Sequence, residues 1–362
     1  MNEKGKNEEI SEWRRAIMIK LEMLIIDGSY GEGGGQIVRT SVALSALTKI
    51  PIKIINIRSK RKNPGLRPQH LNAIKAIADL CNAKVKNLTI GSQQIEFIPE
   101  EISDRKIFID IETAGSISLV FQSLFIASIF NNVEIEIRGG TDVKNAPTTD
   151  YLQYVLSPIL NLSGIKIQLE TLQRGYYPKG NGVARAKIYK TEKLKSFNLT
   201  ERGKILEIYG ISHASEKLRI RNVAERQKKA CEKLLRDFLN YRFNYKIPVK
   251  IIEEYKETLS NGSGMTLIVK TENTFLGASA LGEIGKTSEE VGEECAKTLI
   301  SEIQKEGCVD SYMSDQIIPY IAIAKGKVKI NELTMHAKTN LHVVNLFKFK
   351  VKCEGDLIYC KN

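Results

Sequence analysis

No apolar run in this sequence of 362 residues is long enough to cross a membrane, and the longest candidates are broken by charge or glycine. No apolar signal core follows Met1, so no membrane partner is expected and the cytoplasm is the expected compartment. The six cysteines, Cys81, Cys231, Cys295, Cys308, Cys353 and Cys360, include no C-x-x-C pair and carry no zinc signature. They read as buried small hydrophobes, although Cys353 and Cys360 are close enough in sequence for a hairpin disulfide. Histidine is scarce, with four residues in the whole chain, so few positions can supply an imidazole.

Two common nucleotide motifs are also missing. Counting G-x-G-x-x-G from Gly31 and Gly33 places Gln36 where the third glycine belongs. Gly285-Lys286-Thr287 has the end of a phosphate loop, but Ala280 stands where its first glycine is required. Acidic residues are outnumbered, and the formal charge of +12, with a pI of about 9.2, favours an acidic partner such as nucleic acid. The lysines are spread along the chain, so charge alone locates no groove.

The periodicity alternates short β runs with amphipathic helices and predicts an α/β (α+β) fold. Strand 23–26, helix 36–47, strand 52–57, helix 69–81 and a hairpin through 88–98 form one series. A second has strand 106–111, helix 118–130, strand 133–138, helix 150–160 and β runs near 165–170 and 183–188. The C-terminal part adds helix 315–324, strand 327–333 and a short helix after Asn340. This is a repeated β-α-β-α-β-β unit with a period of about eighty residues. Residues 190–305 interrupt it with a more charged stretch that reads as an inserted smaller α/β domain. The expected division is an N-terminal extension at 1–21, a large domain at 22–189 and 306–362, and the insert.

The richest local signal is Gly31-Glu-Gly-Gly-Gly-Gln-Ile-Val-Arg39, which joins a strand to a helix. Such a turn exposes backbone N–H groups at the positive end of a helix and lets an anion approach the main chain. Glu32 adds a carboxylate where phosphate is expected, which calls for a cation. A second cluster, Arg58-x-x-Arg61 followed by Pro64-Gly-Leu and Gln69-His70, places fork-shaped donors on the same side. Among the histidines, His336 is expected where a strand ends, a common place for catalytic side chains. His342 lies in an apolar run and reads as packing.

These segments, with Gly139-Gly-Thr-Asp142, Ala146-Pro147, Tyr312-Met-Ser-Asp-Gln316 and Thr339-Asn340, occur in an order that closely resembles the RNA 3′-terminal phosphate cyclases. The resemblance runs from about residue 22 to the C-terminus. One departure is the loop Arg174-Gly-Tyr-Tyr-Pro-Lys-Gly180-Asn181-Gly182, where Asn181 replaces the middle of three glycines. Asparagine tolerates left-handed backbone, so the loop is expected to survive.

The resemblance implies three repeated units with an inserted domain, and ATP-dependent conversion of an RNA 3′-phosphate to a 2′,3′-cyclic phosphate. It implies that His336 attacks ATP to form a covalent histidine–AMP, assisted by Glu32 and Arg39. Gln122, Pro147, Tyr312, Met313, Ser314, Asp315 and Gln316 would contact ATP, with Tyr312 and Pro147 flanking the adenine. Arg58, Arg61 and Gln69 would bind the RNA phosphate, and Glu32 would help hold a divalent metal, Mg or Mn. Two other classes remain: a non-catalytic relative that binds RNA in ribosome biogenesis, against which His336 argues, and an enolpyruvyl-transferase-like enzyme, suggested only by the repeated units.

Overall fold

The computed structural model describes residues 23–361. The N-terminal extension expected at 1–21 lies outside these residues. Three four-stranded sheets share one topology. The first holds β1 (Leu24–Asp27), β2 (Ile52–Ile55), β3 (Lys84–Lys86) and β4 (Ile95–Ile98), in the order β1-β2-β4-β3. The second repeats that order with β5 (Arg105–Asp110), β6 (Val133–Gly139), β7 (Ile167–Gln173) and β8 (Gly182–Ile188). In each, the first two strands are parallel and the others return antiparallel.

The third sheet begins with β9 (Phe197–Leu199), which lies inside the stretch read from sequence as the insert. It pairs in parallel with β14 (Gly326–Lys329), beside the hairpin β15 (Val351–Glu354) and β16 (Leu357–Cys360). The interruption therefore follows the first strand of the third unit. A short strand whose partner comes more than a hundred residues later leaves no local pairing signal. In the hairpin Cys353 faces Ile358 and Cys360 faces Val351, so the cysteines are not cross-strand partners and both thiols are free.

The fourth sheet has its own order, β11-β10-β12-β13. It comprises β10 (Ile205–Ser215), β11 (Val249–Lys256), β12 (Ser263–Thr271) and β13 (Phe275–Leu281). Helices α6 (Val223–Arg242) and α7 (Ser288–Gln304) cover it, closing a separate apolar core around Cys231, Leu235, Leu267 and Leu299. Thr287, from the apparent phosphate loop, instead caps α7 through a reciprocal bond with Glu290.

One larger core joins the three repeated units. At its centre α1 (Gly35–Thr48) packs on α2 (Pro68–Cys81), α3 (Ile117–Ala127) and α10 (Met335–Leu346). With neighbours on several sides, α1 buries Ile37, Val38, Val42, Ala43 and Leu44 completely or nearly so. No helix among the described residues is long and apolar enough to cross a membrane.

Candidate active site

The start of α1 is open to an anion. Its N-cap is Gly34, and no side chain caps it, so the first N–H groups keep their donors for another partner. Gly31 and Gly33 take positive φ values of 58° and 56°, which only glycine adopts at little cost. Gly35 has a second reason to be glycine: a Cβ there would lie 1.9 Å from Nε2 of His70.

His70 is buried, and its Nδ1 accepts the backbone N–H of Arg67. Burial and the charges of Arg39, Arg58 and Arg67 push its pKa down to about 3, so the ring is neutral. The bond at Nδ1 then leaves the proton on Nε2, under the helix start. Arg58 has a buried Nε with no hydrogen-bond partner, and one of its other nitrogens donates to the carbonyl of Asn63 at 3.3 Å. Burial and repulsion from Arg61 and Arg67 lower its pKa. A crowd of arginines around an uncapped helix start suits negative charge.

Glu32 answers part of that charge. Its Oε2 accepts from Nη2 of Arg61 at 3.1 Å and lies 4.0 Å from Nε2 of His336. His336 is not at a strand end: α10 begins at Met335, and Thr334 caps it by accepting from the backbone of Ala337. The imidazole is thus on the first helical turn, half-exposed, with the positive helix end behind it. The Thr-Met-His-Ala sequence holds this cap, the signal that fixes the earlier helix start. His342, on the same helix, does more than pack: its ring stacks on Tyr30 of the glycine loop at 3.7 Å.

The third unit closes the site. Gln36 donates to Asp315 at 3.0 Å, and Gln122 of α3 donates to Gln316 at 2.7 Å. Asn340 links both sides, donating to the carbonyl of Asp315 and accepting from Thr40 of α1. Burial raises the Asp315 carboxyl to about 7, against the Gln36 bond and the Arg39 charge. Burial also lowers Arg39 to about 10, with Asp315 opposing.

Tyr312 is exposed and meets Tyr151 edge-on at 6.2 Å. Tyr151 lies one turn beyond Thr148, the cap that follows Pro147, whose carbonyl accepts from Ser118. Met313 and Ser314 are buried: Met313 belongs to the apolar core, and Ser314 Oγ donates to the carbonyl of Asp310. Neither side chain faces solvent. Gln69 is half-buried near the start of α2. Sequence reading gave no role to Tyr30 or Asn340, because their partners lie some three hundred residues away.

A different cluster lies deeper. Arg174 is buried and pairs with Asp142, Asp150 and Glu254. Burial opposes ionisation of Asp142, but His213 and Arg174 overcome it and hold that carboxyl well below its usual range. Asp142, Asp150 and His213 are grouped closely enough to suit a cation, and the Arg174 guanidinium already supplies one. Tyr176 completes the network by bonding Nδ1 of His213 at 2.8 Å. Asn181 takes a φ of 61°, the left-handed geometry expected of it. At the helix start, Glu32 fits a hard divalent cation better, since one carboxylate together with substrate phosphates is a common Mg set.

Comparison with known proteins agrees with these motifs. The sequence profile described as RNA 3′-terminal phosphate cyclase matches residues 30–353. A protein of that name from Pyrococcus furiosus is 47% identical over 331 residues, spanning 91% of this chain and 94% of its own length. Namesakes from Ignicoccus hospitalis and Thermococcus kodakarensis are 43% and 44% identical and span 92% and 93% of the chain. With a profile match along most of its length and relatives this similar, the chain belongs to the RNA 3′-terminal phosphate cyclase family.

Proposed function

We propose that this protein uses ATP to convert an RNA 3′-phosphate into a 2′,3′-cyclic phosphate through a covalent His336–AMP intermediate. The observation that carries the reading is the meeting of Glu32, Arg61 and His336 beside the uncapped start of α1. Family membership supports the overall reaction.

A terminal phosphate is a poor electrophile, because none of its oxygens leaves readily and its charge repels nucleophiles. Nε2 of His336 attacks the α-phosphorus of ATP; a P–N bond forms and the bond to the pyrophosphate oxygen breaks. An oxygen of the RNA 3′-phosphate then attacks the same phosphorus, breaking P–N and forming a phosphoanhydride. Finally the 2′-hydroxyl gives its proton to solvent and its oxygen attacks the RNA phosphorus; the new P–O bond closes the ring as the bond to AMP breaks, and AMP leaves. That last nucleophile is already tethered beside its target, which gives it a high effective concentration.

Arg39, Arg58 and Arg61, with the N–H groups of α1, would offset phosphate charge during these steps. Asp315 and Gln316 would contact the nucleotide, and Tyr312 and Pro147 would border its base. A divalent ion, Mg or Mn, beside Glu32 would supply Lewis-acid neutralisation of the triphosphate. Incubation with α-labelled ATP and Mg or Mn, without RNA, tests the reading: label should become covalently attached to the protein. An unlabelled protein that still binds RNA would favour the non-catalytic alternative.

A further inference from the structure

Four of the most exposed apolar side chains in the described structure sit on loops at one end of the fourth sheet. Ile220 (89% exposed) is on the turn Glu216–Arg221 that follows β10, and Leu259 (57%) is on the loop between β11 and β12. Ile284 follows β13 and is fully exposed. Tyr177 (78%) comes from the 174–182 loop, which is tied to the same end where the backbone of Lys179 donates to Ser260 Oγ. The register explains the grouping: β10 and β11 are parallel, β12 runs against them and β13 runs against β12. The ends of β10, β11 and β13 and the start of β12 therefore share one edge.

Cations alternate with these side chains. Lys179, Lys217, Arg221 and Lys256 are all exposed, and none has an ion-pair partner among the described residues. Of the acids nearby, Glu216 pairs with Arg219 and Glu283 pairs with Lys144, which leaves Glu257 as the one exposed, unpaired carboxylate on these loops among the described residues. An aromatic ring and aliphatic groups interleaved with unpaired cations suit a strand that offers bases to stack and phosphates to neutralise. A protein partner would be expected to bring complementary acids to the same positions, so the charge does not by itself choose. Continuity with the site does. Lys144 shares a loop with Pro147 and is at most about 11 Å from it along the chain, and its bond to Glu283 places that loop against the one carrying Ile284.

The Tyr177 loop is also held in place before any strand arrives. Tyr176 bonds His213, and a Cβ at Gly262 would lie 2.2 Å from the Tyr176 ring, so the neighbouring side chain is fixed while Tyr177 points outward. Such preorganisation reduces the entropy lost on binding.

We propose that this edge of the fourth sheet binds the single-stranded RNA leading to the reacting 3′ end. The proposal rests on the cyclase reading for the identity of its strand, and its test does not depend on catalysis. Fluorescence anisotropy would measure binding of 3′-phosphorylated RNA of about three and about twelve nucleotides to the parent protein, to Tyr177→Ala/Ile220→Ser and to Lys217→Ala/Arg221→Ala. The parent should bind the longer RNA more tightly. Each double variant should lose about ten-fold for the longer RNA and leave the shorter unchanged. The charge variant should also flatten the slope of log affinity against log salt by about 1.4. Circular dichroism spectra and thermal unfolding of both variants should match the parent, which shows that they fold, and covalent labelling by ATP without RNA should match it too. An equal affinity for both lengths in the parent, or an unchanged length preference in the variants, overturns the proposal. So does a change confined to oligomeric state, which would make the edge a protein interface. Loss of labelling in the parent with the length preference intact would overturn the cyclase reading and leave this surface standing.

Discussion

The Glu32 carboxylate lies 4.0 Å from Nε2 of His336, so the acid of the first unit faces the imidazole of the third. The same oxygen accepts from Arg61, which makes it the meeting point of the glycine loop, the basic loop and the start of α10. We propose that it has two partners in turn: the Arg61 guanidinium in the free protein, and a metal ion when phosphates arrive.

Glu32→Ala is expected to lower metal-dependent protein adenylylation by at least about 100-fold, the scale of lost metal assistance. Labelling rate against Mg or Mn concentration is the measurement. A variant with the parent's titration curve and rate would remove Glu32 from the metal site.

Replacing Arg58 and Arg61 together by alanine should impair use of the RNA 3′-phosphate more than formation of the labelled protein. Each lost charge-assisted contact costs on the order of 1.5–3 kcal/mol. The two half-reactions can be timed separately by adding RNA to pre-labelled enzyme. Equal losses in both would assign these arginines to ATP instead.

Asp315 gives a pH dependence with a definite sign. Its folded-state value of about 7 lies above its ordinary 3.8, so protonation favours the folded state. The stabilising contribution is complete below about pH 4 and is lost as pH rises through 7. A shift of that size corresponds to about 4 kcal/mol for full burial, and screening at this half-buried group reduces it to on the order of 2 kcal/mol. Asp315→Asn should remove this component, because the Gln36 amide can turn to satisfy the new side chain. Denaturant unfolding of both proteins between pH 4 and 8 would show it as a stability difference that changes in favour of the variant with rising pH. A constant difference would rule it out.

Much of this site is readable before folding, for local reasons. The strand, glycine loop and helix around Glu32 are continuous in sequence, and so is the basic loop from Arg58 to His70. The repeated unit is visible for the same reason, since two complete copies run without interruption. Contacts made across units are not. Phe197–Leu199 finds its partner only after the fourth sheet has been completed. Phe275–Leu281 is a strand rich in glycine, alanine and serine, with little of the β-branched pattern that marks one. The Arg174 network draws its carboxylates from three other segments, so the signature loop is legible while its ionic partners are not.

A substrate ending in a 2′-deoxy-3′-phosphate should accept AMP and then stall, because the missing hydroxyl is needed only for ring closure. Gel separation of the labelled oligonucleotide would reveal an adenylylated end that accumulates. Release of the end unmodified would contradict the order of steps.

The most direct test of the central claim is to locate the AMP. After incubation with α-labelled ATP and metal, the parent should carry an acid-labile, alkali-stable label on the peptide containing His336. His336→Ala should carry none while keeping the parent's circular dichroism spectrum, and His342→Ala, which loses only the stack on Tyr30, should still be labelled. Label on another peptide, or labelling that persists in His336→Ala, would contradict the mechanism.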